Sequence, residues 1–319
     1  MNRRTLTPCF APAWARHGHA QTILGHLLPS PKLAGQGRKI HITLPDGDVL
    51  ASTCYEGSGD TVVYIFHGMS GSTESSYMQR TAAVCARLGY GVFLVNHRGA
   101  GEGFGLARAP YHSGRAEDLS QVLRVGRQMH PNKKHFVIGF SLSGNALLLL
   151  LSGARGDMLP DAAIAVNAPI ALDKTSIALQ TGINRIYDLR FVRDCRAQIA
   201  DAAARKRIPW LSTVRDLDRY YTVPASGFRD RDEYYRTCST QGLLGAIHTP
   251  TVILTAKDDP FIDYRDYLAA PRSPNVHLHI ENVGGHMGYL TRDKTPLGTR
   301  RWLDYALWYF LGQLSEKLK

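Results

Sequence analysis

The sequence predicts an α/β fold: a mostly parallel central sheet with helices on both faces and an inserted helical segment. Three observations predict it. Short runs that are apolar throughout and rich in β-branched residues alternate with longer runs of helical periodicity, as strands buried on both faces require. One long stretch, from about Leu172 to Thr240, is helix-like and holds no convincing core strand. It far exceeds the ~2–6 residues of an ordinary loop between helix and strand. Finally, the residues best suited to chemistry fall at the ends of predicted strands, where open α/β sheets gather their sites.

The elements follow in order. KIHITL and VLASTCY alternate in polarity and predict an antiparallel hairpin across PDGD. TVVYIFHG is a continuous apolar strand, SSYMQRTAAVCARLGY a helix, GVFLVNHRG a strand and EDLSQVLRVGRQMH a helix. HFVIGF is a strand, NALLLLLSG a buried helix and AAIAVNAP a further strand. After the long helical stretch come the strands TPTVILTAKDDP and NVHLHIENVGGH, then the closing amphipathic helix RRWLDYALWYFLGQL. The predicted organisation is a core of residues 1–171 and 241–319, with residues 172–240 as a helical cap.

Bulk composition narrows the function. The chain has 319 residues, 44% hydrophobic and 20% charged, as soluble globular proteins do. Its formal charge is +11, yet the basic residues are scattered and form no run, which argues against nucleic-acid binding. Such a surface is compatible with peripheral contact to anionic lipid heads. Five cysteines, far apart and without C-x-x-C spacing, argue against a disulfide framework and a structural zinc site. The basic N-terminus lacks a continuous apolar core, and the longest apolar run, ALLLLLSGA, is far short of the ~20 residues that span a bilayer. The expectation is a cytoplasmic protein. His17 with His19, and His277 with His279, have no carboxylate cluster beside them, so no metal is expected. GYGVFLVNHRGAGEGFG lacks G-x-G-x-x-G opening a helix, and no cofactor is expected.

The chemistry centres on GFSLSG, residues 139–144, between a strand and a buried helix. A nucleophilic serine on such a turn needs very small flanking residues, so that the two backbones can pass closely. Ser141 is the candidate nucleophile. Ser143 stands where G-x-S-x-G has its second glycine; it reads as a tolerated extra hydroxymethyl, and Ser143→Gly is expected to keep activity. A serine needs a base, and the base an orienting acid, in the chain order Ser, Asp or Glu, His. His286 in NVGGHMGY is the candidate base. Asp259, directly before Pro260, is the preferred acid, with Asp258 as its rival. FHGMSGS, following a strand, is the candidate oxyanion loop, and the backbone amides of Met69 and Leu142 are the candidate donors. Trp210, Tyr220 and Tyr221, with Tyr234 and Tyr235, are candidate apolar walls for the substrate.

Taken together these stretches resemble the α/β-hydrolase superfamily and, within it, the YheT-like (AB-hydrolase 4) esterases. ARHGHAQTILGHLLP is similar to that family's N-terminal motif, FHGMSGS to its oxyanion loop and VNHRGAGEG to its Asn-x-Arg-Gly turn. GFSLSGN resembles its elbow, and AKDDPF and GGHMGY its acid and base motifs. The resemblance implies the α/β-hydrolase fold and a cofactor-free carboxylic-ester hydrolase acting on acyl or lipid-like esters. Thioester hydrolysis or acyl transfer by the same triad is the alternative, because pocket shape chooses the acceptor. A catalytically weak ligand- or membrane-binding module is the remaining one. Oligomeric state is not legible.

Overall fold

A computed structural model describes residues 5–30, 33 and 35–319. Eight strands form one sheet: β1 (Arg38–Thr43), β2 (Val49–Tyr55), β3 (Thr61–Phe66), β4 (Gly91–Val95), β5 (Lys134–Phe140), β6 (Ala162–Val166), β7 (Thr251–Ala256) and β8 (Val276–Glu281). Their spatial order is β1-β2-β4-β3-β5-β6-β7-β8. Strands β3 to β8 pair in parallel, and β1 and β2 add an antiparallel edge. The β1–β2 hairpin turns through Asp46-Gly47 because Gly47 adopts φ 84°, a conformation that side chains with Cβ avoid.

The helices are α1 (Gly18–Leu27), α2 (Ser76–Arg87), α3 (Ala116–Met129), α4 (Leu142–Leu151), α5 (Leu172–Leu179) and α6 (Arg185–Ala197). They continue with α7 (Ala202–Arg207), α8 (Val214–Leu217), α9 (Val223–Ser226), α10 (Arg231–Cys238), α11 (Tyr264–Ala269) and α12 (Trp302–Lys317). A π-helical turn, Asp218–Thr222, joins α8 to α9.

Alternation along each strand divides the core in two. Val62, Tyr64 and Phe66 of β3 face one side, where Leu119, Val122 and Leu123 of α3 and the leucines of α4 cover them. Val63 and Ile65 face the other side, against Met78, Ala82 and Cys85 of α2 and Trp302, Leu307 and Leu311 of α12. Each fully buried Val, Leu, Ile or Phe stabilises the fold by roughly 1.5–3 kcal/mol relative to exposure. That is why β3 tolerates no polar position except its buried first residue, Thr61.

Between β6 and β7 the chain forms α5 to α10 and, among the described residues, no strand.

Candidate active site

The turn between β5 and α4 holds Ser141 at φ 50°, ψ −119°, one of five positive φ values at non-glycine residues among the described residues. Such a conformation costs of order 1–3 kcal/mol and persists only when its surroundings enforce it. Crowding at the crossing enforces it here. A Cβ on Gly139 would come within 2.6 Å of the Ser143 carbonyl oxygen, and one on Gly144 within 2.8 Å of Ala168 Cβ. The two small positions are therefore 139 and 144.

Ser141 Oγ lies 2.9 Å from His286 Nε2, and His286 Nδ1 lies 2.8 Å from Asp259 Oδ2. The Asp259 contact puts the imidazole proton on Nδ1 and leaves Nε2 to accept from the serine. Asp259 is held in turn. Its Oδ1 accepts from the Phe261 and Ile262 amides at 3.2 and 3.1 Å, and Asn167 Nδ2 donates to its Oδ2 at 2.7 Å. The rival Asp258 points elsewhere: its Oδ1 accepts from the Gly284 and Gly285 amides, both at 2.8 Å. Asp258 thus shapes the loop that carries His286, and burial pushes its carboxyl above the ordinary range.

Helix α1 completes this arrangement. The His286 amide donates to Thr22 Oγ1 at 2.8 Å. Gln21 clamps Leu290, accepting from its amide at 2.6 Å and donating to its carbonyl at 3.0 Å. Gly25 packs so closely that a Cβ there would come within 2.5 Å of Gly288 Cα. The Gln-Thr pair of the N-terminal stretch was visible in the sequence, but its part in holding the histidine loop was not. Asn167, at the end of β6, was also missed. Its signal was a polar residue at the carboxyl end of a parallel strand.

The loop after β3 passes directly over Ser141, since a Cβ on Gly68 would lie 3.0 Å from Ser141 Cβ. Neither the Met69 nor the Leu142 amide donates a hydrogen bond within the described residues. The Leu142 amide also opens the first turn of α4, where the helix dipole favours negative charge.

Ser143 differs from its sequence reading. It is fully buried and is no spare hydroxymethyl. Its Oγ donates to the His67 carbonyl oxygen. With that proton committed, His97 Nε2 donates to it at 2.6 Å and the Tyr111 hydroxyl at 2.8 Å. The His97 and Tyr111 rings stack 3.7 Å apart. Burial pushes His67 down to about 4 and His97 well below its usual range, so both are neutral at neutral pH. His67 Nδ1 donates to the Gly68 carbonyl at 2.8 Å and its Nε2 accepts from the His97 amide at 3.1 Å, a purely architectural role. Ser143 ties α4 to the residue that leads into the Gly68-Met69 loop.

Two cavities meet at Ser141. The larger opens between α1, the 68–71 loop and α6, with Ile23, His26, Tyr187, Arg190 and Phe261 on its walls. The smaller is mainly apolar and is bordered by residues of α5, α8 and α10, among them Leu172, Leu179, Val214, Tyr234 and Tyr235, with Ile262 beside them. The wall residues expected from sequence divide accordingly. Tyr234 and Tyr235 border the smaller cavity. Tyr221 borders a neighbouring cavity behind Met69 and Leu142. Trp210 is 86% and Tyr220 38% exposed, and neither touches the cavities at Ser141. Both lie on short surface elements of the helical segment, where aromatic character alone does not report direction. Among the described residues, Cys54, Glu56 and His130 are the one group whose ligand atoms could gather around a metal, within 4.8 Å of one another. They lie at the opposite end of the sheet.

A sheet of this order, with a serine on a strained strand–helix turn, is that of an α/β hydrolase. The model of the alpha/beta hydrolase fold family matches residues 61–293. YheT of Escherichia coli (strain K12), whose name carries the word esterase, is 31% identical over 307 residues, covering 90% of this chain and 87% of its own. The chain belongs to the α/β-hydrolase superfamily and, within it, to the YheT-like family, and it is a carboxylic-ester hydrolase. Human phospholipase ABHD3 is 25% identical over 303 residues, 88% of this chain and 73% of its own. A Pyrococcus furiosus esterase of known structure shares the fold, with TM-score 0.57 at 17% identity, covering 89% of this chain and 99% of that one.

Proposed function

We propose that the protein hydrolyses carboxylic esters of acyl or lipid-like character through an acyl-enzyme. Ser141 attacks the ester carbonyl while His286 Nε2 takes its proton. Asp259 holds the Nδ1–H tautomer and stabilises the imidazolium that forms. The Met69 and Leu142 amides receive the developing oxyanion; each such donor is worth ~2.7–4 kcal/mol in the transition state. His286 then protonates the leaving alkoxide, and water, activated by the same histidine, releases the acid. The observation that carries this reading is the unbroken hydrogen-bonded line Ser141–His286–Asp259, at 2.9 and 2.8 Å, opening on both cavities.

In this reading residues 172–240 act as a cap, and the smaller apolar cavity takes the acyl chain. The larger and more polar cavity takes the alcohol part. The names of relatives (esterase, phospholipase, monoacylglycerol lipase) agree with an ester or lipid-like substrate. The test is covalent labelling with a fluorophosphonate. Labelling of the native chain that disappears in Ser141→Ala is expected. Undiminished labelling of Ser141→Ala would remove Ser141 from the mechanism.

A further inference from the structure

We infer that the solvent faces of α1 and α6, which flank the mouth of the larger cavity, form a docking surface for an anionic lipid bilayer. On α1 the exposed stripe is Ile23, His26, Leu27; on α6 it is Arg185, Ile186, Leu189, Arg190, Arg193. Leu27 is 67%, Ile186 61% and Leu189 49% exposed, an unusual concentration of large apolar side chains on two adjacent helices. The helices are cross-linked side by side, by His19 Nδ1 to the Tyr187 hydroxyl at 3.0 Å and by Arg190 to His26 Nε2 at 2.6 Å. Ile23 and His26 on one helix and Arg190 on the other belong both to the solvent face and to the cavity wall. The apolar surface therefore continues into the cavity that holds Ser141.

Charge selects the kind of partner. The first 45 residues contain no Asp or Glu. Helix α6 carries four arginines against two aspartates. One of these, Asp188, is buried and accepts from the Val214 amide, so it offers no charge to the surface. Arg185 has no ion-pair partner among the described residues. Apolar side chains interleaved with arginine are the composition of interfacial helices, which sink their apolar face to the level of the headgroups and attract anionic lipid. Among the described residues no helix is long and apolar enough to cross a membrane, so the contact is peripheral. The surface deepens the proposed function, because it would bring the cavity mouth against the source of a lipid-like ester; binding itself is measured without turnover.

The experiment is vesicle flotation of the full chain with phosphatidylcholine alone or mixed with phosphatidylglycerol. The native chain is expected to float with the anionic vesicles and to be released by salt. Leu27→Glu and Ile186→Glu, together, are expected to lower partitioning by at least about tenfold, while turnover of a soluble short-chain ester stays at the native level. A polarity-sensitive fluorophore on Ile186→Cys, in the otherwise native chain, is expected to shift to the blue with anionic vesicles. No flotation of the native chain, flotation unaffected by the double variant, or an unshifted probe would each overturn the inference. So would a dimer in sedimentation velocity that is lost in the same double variant, since a second copy would then cover the face. Absence of ester turnover in the native chain would defeat the proposed function and leave the flotation result standing.

Discussion

Replacing Ser143 by glycine removes one hydroxymethyl group and tests how the oxyanion loop is held. In the structure that hydroxyl serves three groups: the His67 carbonyl, His97 Nε2–H and the Tyr111 hydroxyl. Tyr111 retains a partner in the variant, because its hydroxyl lies 3.4 Å from the His67 carbonyl. His97 Nε2–H keeps none, and its Nδ1 is already unpartnered and buried. One group fully orphaned and one weakly served cost about 2–4 kcal/mol, at ~1–3 kcal/mol per buried unsatisfied group. A water that fits the vacated space would reduce this toward the lower end. In the proposed mechanism the catalytic effect passes through Met69, two residues beyond His67. Full loss of one oxyanion donor costs ~10²–10³ in kcat, and partial misplacement is expected to cost about tenfold to a hundredfold. The assay is kcat and KM on a p-nitrophenyl ester, with Tm measured alongside. The expected pattern is a fall in kcat, KM within about twofold, and a Tm lowered by several degrees. Ser143→Thr, which keeps the hydroxyl, should recover part of kcat. A glycine variant with native kcat would refute the reasoning and restore the simpler reading that position 143 merely tolerates a side chain.

Further outcomes follow from the same geometry. Asp259→Asn should lower kcat by about 10⁴-fold, as loss of the tautomer-fixing carboxylate does. Asp258→Asn should leave activity within about tenfold and act on stability, by weakening acceptance from two loop amides; parallel kinetics on both variants would reverse the assignment if Asp258 proved the more damaging. Trp210→Ala, at an 86% exposed position, should change neither Tm nor kcat/KM. His67 is buried and pushed from 6.5 down to about 4, so its stability contribution is complete above pH 6.5 and is lost as pH falls toward 4. Between pH 7 and 5 that loss amounts to about 2 kcal/mol from His67 alone. Urea unfolding across this range should show it, and a flat profile would contradict a neutral buried His67.

The sequence by itself determined the chain order of the eight strands, the antiparallel edge, and the strand ends near which Ser141, Asp259 and His286 lie. Each is a local property: runs apolar on both faces mark buried parallel strands, and small residues around a serine mark a tight crossing. Only the tertiary structure shows that Asp259, and not Asp258, lies against His286. Adjacent residues on one turn point in different directions, and only the position of the histidine loop shows which one meets it. The same holds for Ser143, whose partners His67, His97 and Tyr111 come from two other loops. It also holds for the cavity walls, since Trp210 and Tyr234 carry similar aromatic surface and only packing turns one outward and the other inward. Gln21 and Thr22 gained meaning in the same way: a helix nearly as far from His286 in sequence as the chain allows lies against its amide. Periodicity reports what a residue prefers to bury; which distant atom it buries against is decided by the closing of the fold.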